Sequence, residues 1–215
     1  LESLTTGMYS DPKIVYREYI QNSVDSLENA VSLGLIEPQS MRIDIVINAE
    51  ESFISIKDNG TGIPADTAAA TLMNVGSSKK RSANNRGFRG IGRLGGMSYC
   101  DTLVFTTSAE NESVKTIISF DCKKLRRLLV PGEYEEMSLS AVLEEITSIV
   151  TLPEKLEKHY LCVEMKEVNG FSDLLDIDTA RSYIAQVAPL PYQSRHFIYT
   201  SQLKEFLSKN GYSVE

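Results

Sequence analysis

The sequence predicts an α+β domain, a mixed β-sheet with its helices packed on one face. Two observations predict it. Strand-like and helical segments mix without the regular βαβ rhythm of a doubly wound sheet. An early segment repeats its apolar residues at helical spacing, and the next two segments alternate every second residue.

The elements follow in order. Asp11-Pro12 opens the first helix, with Asp as N-cap and Pro at the first helical position. Along it Tyr16, Ile20, Val24, Leu27 and Val31 share one face, and Glu18, Asn22, Asp25 and Asn29 share the opposite one. Gly34 and Pro38 end it. Met41 to Asn48 and Ser52 to Asp58 alternate like two strands. Residues 61–75 contain a short helix, and a helix begins near Gly92. Leu103 to Thr107 and Val114 to Phe120 read as a strand pair, and Tyr160 to Val168 as a further strand. Between them, Gly132 to Lys158 holds seven acids and two bases and reads as an exposed helical insertion. Beyond Gly170 come two helical stretches separated by Pro189 and Pro191.

Composition narrows the function. A hydrophobic content of 42% with 24% charged residues is that of an ordinary globular protein. No apolar run is long enough to cross a membrane, and the start, LESLTTGMYS, lacks the basic flank and apolar core of a signal peptide. It also lacks an initiator Met, as expected of a piece of something longer. Cys100, Cys122 and Cys162 are widely spaced and form no metal pattern, so they read as core thiols in a reducing, cytoplasmic compartment. A net charge of −7 argues against a broad nucleic-acid footprint. The charge is unevenly spread. From Thr67 to Cys100 there is no acid but six bases, Lys79, Lys80, Arg81, Arg86, Arg89 and Arg93. Eight of the 13 glycines fall between Gly60 and Gly96. That is the composition of a loop that wraps phosphates.

Three short stretches bear on chemistry. Alone, the Glu18–Asn22–Asp25 stripe is a solvated helix face. Facing a cavity, an amide oxygen and carboxylates could hold Mg²⁺, and a carboxylate one turn away could deprotonate a water. The second stretch is DNGTG, Asp58 to Gly62. Asn-Gly is the usual hairpin signal, but the following ADTAAATLMN does not alternate. Asp58 is also in phase with Ile54 and Ile56, so its carboxylate points inward and needs a partner, which a base-edge amino group could be. The third is GFRGIG, Gly87 to Gly92, at the end of the basic segment and before a helix, where freed backbone amides make an anion site. It is neither a Walker A loop nor a dinucleotide fingerprint.

Together, in this order and spacing, the three resemble the GHKL ATPases: gyrase, the ninety-kilodalton heat-shock chaperone, histidine kinases and the MutL mismatch-repair proteins. MYSDPKIVYREYIQNSVDSL looks most like the chaperone's first helix, with its R-E-x-x-x-N-x-x-D pattern. DNGTGIP matches the D-x-G-x-G box, and SSKK followed by GFRG is similar to the lid and glycine box of MutL proteins. The resemblance covers residues 8–107 and implies the Bergerat fold, a two-layer sandwich. It implies ATP and Mg²⁺ as ligands, slow hydrolysis, lid closure and nucleotide-dependent homodimerisation; the client, protein or DNA, stays open. Carried over, Glu18 is the general base, Asn22 binds Mg²⁺, and Asp25 supports the site or its nucleotide. Asp58 accepts from the adenine amino group, Gly62 lets the base approach, and Gly60 belongs to the same nucleotide-binding box. Ser77, Ser78 and Lys79 belong to the lid, and Gly87, Phe88, Arg89, Gly90, Ile91 and Gly92 to the phosphate loop. An alternative glycine register, Gly92-Arg93-Leu94-Gly95, fits the family spacing less well. The late threonine of the adenine pocket has no clear counterpart near Tyr160, where His159 or Tyr160 stands instead. By itself His159, like His196, reads as a surface or packing histidine.

The expected organisation is an ATP-binding domain over 1–170, with the acidic insertion at about 132–158, and a helical extension over 171–215 leading toward a missing domain. Two other readings compete: a nucleotide-gated binding module with little turnover, and a histidine protein kinase. The kinase would call for a phospho-accepting histidine helix and would not need Glu18.

Overall fold

A computed structural model describes residues 11–73, 92–129, 138–169, 172–188 and 200–210. The first helix, α1, spans Ile14–Ser32. Asp11 caps the turn before it, its carboxylate accepting the Lys13 N–H at 2.9 Å. Gly34 stops it at φ +73°. There the N–H groups of Gly34 and Leu35 turn back to the carbonyls of Val31 and Ala30 at 3.0 and 2.9 Å, the paired bonds that close a helix on a left-handed residue.

Six strands follow: β1 (Ile43–Asn48), β2 (Phe53–Asp58), β3 (Cys100–Ser108), β4 (Val114–Asp121), β5 (Thr147–Pro153) and β6 (Tyr160–Val168). They form one sheet in the order β1-β2-β6-β3-β4-β5. The expected α+β class with a helical layer is what the structure shows. Every described pairing is antiparallel, narrower than the mixed sheet expected. Two hairpins supply four of the strands, and β6 enters between them antiparallel to a strand of each.

The helices are α1, α2 (Ala65–Met73), α3 (Cys122–Leu128), α4 (Leu139–Ile146), α5 (Ser172–Leu175), α6 (Ile177–Val187) and α7 (Thr200–Lys209), with a 3-10 helix over Gly92–Ser98. Alternation along the strands turns Ile54, Ile56, Leu103, Phe105, Ile118, Phe120, Val163 and Met165 to one face. There they join Tyr16 and Ile20 of α1, Leu72 of α2, Leu125 of α3 and Val142 of α4 in one core. The Tyr16 hydroxyl donates to the Leu174 carbonyl at 2.5 Å, and Ala180 of α6 is buried in the same core, so residues 172–188 pack onto the sandwich.

Residues 138–158 differ from the helical insertion expected. Ser138 caps α4, accepting from Ala141 N–H, but the helix ends at Ile146 and runs straight into β5, the edge strand beside β4. The run TSIVTLP is β-branched and uncharged, which favours an extended ladder over a helix. No helix among the described residues is long and apolar enough to cross a membrane.

Candidate functional site

The last residue of β2, Asp58, keeps phase with Ile54 and Ile56 and is turned inward, only 2% exposed. Two donors meet its carboxylate at 2.9 Å: the Ser23 hydroxyl of α1 at Oδ2 and the Gly60 N–H at Oδ1. Burial pushes this carboxyl up to about 6, against the Gly60 and Ser23 bonds, which pull it down. It is a buried acid with little access to water, poised near neutrality.

The loop after it is pressed between α1 and the β3–β4 hairpin, and glycine makes that possible. A Cβ at Gly60 would lie 2.2 Å from the Ser26 hydroxyl oxygen. One at Gly62, which adopts φ +63°, would lie 1.9 Å from the Ser108 carbonyl oxygen. The Ser26 hydroxyl accepts the Thr61 N–H at 3.1 Å. The Gly60 carbonyl accepts from His159 Nδ1 at 2.7 Å. Thr107 of β3 accepts the Ile63 N–H at 2.7 Å and donates to the Tyr160 carbonyl at 3.1 Å. Further along, the Glu112 carboxylate receives the Ala65 N–H at the start of α2. Register carries the row across the sheet from Asp58 through Leu161 and Thr107 to Thr116. The Thr116 hydroxyl is buried without a hydrogen-bond partner among the described residues.

The α1 stripe is half-buried. Ser23, Leu27 and Ala30 are buried beside it, while Arg17 and Glu28 are open to solvent. Glu18, Asn22 and Asp25 therefore lie along the border of core and solvent, where a face directly opposite the core was expected. Glu18 accepts from Arg17 Nη2 at 2.9 Å. Its other oxygen lies 2.3 Å from where a Cβ at Gly92 would be, so Glu18 meets the end of the glycine-rich segment and would have to move aside for a side chain there. Asp25 accepts from Gln21 Nε2 at 3.0 Å. The Asn22 amide makes no hydrogen bond among the described residues, which leaves it available.

One helix thus joins Glu18, Asn22 and Gly92 at one end of the site to Asp58, Gly60 and Gly62 at the other, through Ser23 and Ser26. The expected site residues Ser77, Ser78, Lys79, Gly87, Phe88, Arg89, Gly90 and Ile91 lie outside the described residues. Sequence reasoning missed Ser23, Ser26 and Thr107. The two serines each follow a stripe residue, one step toward the buried face, and a polar residue at such a position was the available signal.

A family model described as histidine kinase-, DNA gyrase B- and HSP90-like ATPase matches residues 9–146. The chaperone protein HtpG of Acinetobacter baylyi is 29% identical over 84 residues, a stretch that spans 36% of this chain and 13% of the chaperone's length.

Proposed function

The chain belongs to the histidine kinase-, DNA gyrase B- and HSP90-like ATPases, and from that premise we propose that it binds ATP with Mg²⁺ between the Asp58 corner and the α1 stripe and hydrolyses it slowly. The observation that carries this reading is the pairing of a buried, hydrogen-bonded Asp58 beside two tightly packed glycines with the half-buried Glu18–Asn22 stripe of α1.

At the base end, Asp58 accepts from an exocyclic amino group, and glycine at 60 and 62 lets the loop beside it pack against Ser26 and Ser108. The donors already on this inward carboxylate, among them the Ser23 hydroxyl and the Gly60 N–H, hold it in place for such a donor. At the phosphate end, the uncommitted Asn22 amide suits a hard cation that takes few protein ligands and shares the rest with phosphate oxygens. Magnesium, when bound, supplies positive charge between those oxygens. Glu18 stands one turn from Asn22, where it can take a proton from an attacking water. Ser77, Ser78, Lys79 and the segment Gly87–Gly92 complete the phosphate contacts, a role that rests on their composition and on the family resemblance. Closure of that segment, nucleotide-dependent dimerisation, the division at residue 170 and a cytoplasmic setting belong to the same proposal.

The reading with little turnover draws on one observation. Arg17 holds Glu18 in an ion pair at 2.9 Å, an engagement that competes with a water for the same carboxylate oxygen. Titration calorimetry with ATP, ADP and GTP, followed by single-turnover hydrolysis of radiolabelled ATP, separates the cases. ATP binding with measurable phosphate release supports the ATPase; ATP binding without release supports the gated module. Equal affinity for ATP and GTP would remove Asp58 from the base.

A further inference from the structure

We propose that His159 is a positioning residue of the nucleotide site, holding the Gly60–Thr61 peptide in the orientation that lets Asp58 receive the base. The inference rests on the nucleotide-binding reading above. It starts from the two ends of one peptide group. The Gly60 carbonyl meets His159 Nδ1 at 2.7 Å, and the Thr61 N–H meets the Ser26 hydroxyl at 3.1 Å. A carbonyl cannot donate, so Nδ1 carries the proton. Because the peptide is planar, both bonds turn together or not at all.

Without that hold only the bond from Thr61 to Ser26 keeps the plane from turning. Gly60 has no Cβ to resist a flip, and Gly62 already sits at positive φ. A flip would leave the carbonyl without its donor and pull Thr61 from Ser26. The next group back along the chain is the Gly60 N–H, which donates to Asp58 Oδ1. The path from imidazole to carboxylate is therefore two hydrogen bonds with the backbone of Gly60 between them.

The ring itself is set in place by its neighbour. The Tyr160 carbonyl accepts from Thr107, its hydroxyl donates to Glu154 at 3.0 Å, and Lys57 Nζ stands 4.4 Å from its ring centre. With Tyr160 held at three points, the backbone of His159 has little freedom.

The test compares three substitutions. In His159→Asn the amide nitrogen lies as many bonds from Cβ as Nδ1 does and can keep the bond to Gly60. His159→Gln places its nitrogen at the Nε2 distance, and His159→Ala has none. Two measurements are made on each: ATP affinity by calorimetry, and amide hydrogen exchange at Thr61 in nucleotide-free protein. Alanine and glutamine are expected to weaken ATP binding and speed Thr61 exchange by about three- to tenfold, the worth of one net hydrogen bond. Asparagine is expected to stay within about twofold of the parent protein on both. Equal exchange in the alanine and parent proteins would overturn the proposal, as would an asparagine protein no better than alanine. If the parent protein binds no ATP, the nucleotide reading falls, and Thr61 exchange alone then decides whether His159 holds the loop.

Discussion

The two ends of the site are built differently. At the Asp58 end nearly every polar group has a partner inside the protein: Asp58 with Ser23 and Gly60, Thr61 with Ser26, Gly60 with His159, Ile63 with Thr107. At the Glu18 end the stripe is half-buried and sparsely bonded, with Arg17 on Glu18, Gln21 on Asp25 and nothing on Asn22 among the described residues. A base is flat and offers a fixed pattern of donors, so a preorganised wall selects it well. Phosphates are charged and bring a cation with them, so the groups that meet them gain by staying uncommitted until charge arrives. On the proposed reading, specificity rests with the first end and turnover with the second.

The sharpest way to break that division is Glu18→Ala. A general base contributes roughly 10²- to 10⁴-fold, so hydrolysis should fall by at least about 100-fold while ATP affinity stays within a few-fold. Single-turnover assays beside calorimetry check it; loss of binding together with hydrolysis would show that the two ends are not separable.

Asp58→Asn attacks the other end. Removing a charged acceptor costs about 1.5–3 kcal/mol, so ATP affinity should drop tenfold or more, with GTP little affected. Hydrolysis per bound ATP should change less than affinity does.

The pH dependence sharpens the contrast further. Asp58 titrates at about 6 in the fold, against the usual 3.8. Between those values the folded protein holds a proton that the unfolded chain has released. Stability conferred by this group is therefore greatest on the acid side and declines as pH rises through about 6. ATP affinity should run the opposite way, falling as pH drops through about 6, because the protonated acid is no longer a charged acceptor. Denaturant titrations and calorimetry over the same pH range test both slopes; parallel slopes would contradict the assignment of Asp58 to the base.

Ser23→Ala should act in the same sense but more weakly. It removes a donor that favours the charged carboxylate, so ATP affinity should fall several-fold and the midpoint of its pH dependence should rise. The smallest effect is expected for Thr116→Val, at the far end of the same row. Replacing an unpartnered buried hydroxyl by a methyl should leave ATP affinity unchanged and stability unchanged or raised by up to about 1 kcal/mol. Chemical denaturation is the readout.

Much of this was legible in the sequence because local rules and tertiary demands agreed. Along α1 the helical period, the Asp11 turn and Gly34 all point to one element, and Asp58 shows its inward direction by phase alone. β6 runs from Tyr160 to Val168 as alternation predicts. Where the reading slipped, a composition cue outweighed a local one. Seven acids between Gly132 and Lys158 suggested exposure and helix, yet Thr147, Ile149, Val150 and Thr151 are β-branched and complete the sheet. α3 went unread although Asp121 is an N-cap in plain view, accepting the Lys124 N–H at 2.7 Å. His159 was reachable only through the resemblance, as one of two residues standing where the late threonine is expected, and its contact was not readable. Its partner is a backbone carbonyl 99 residues earlier in the chain, and backbone partners leave no mark in a side-chain pattern.

The continuity of α1 has a consequence of scale. Glu18 and Ser26 are fixed along one uninterrupted helix of 19 residues, about 12 Å apart at 1.5 Å per residue. No hinge separates Glu18 from Ser26, the residue that grips the loop after Asp58. The helix therefore works as a ruler with a stop at each end. If the proposed reading holds, a molecule seated against one stop and too short to reach the other leaves Glu18 with no oxygen to act on, and the same rod that orients the base also reads the ligand's length.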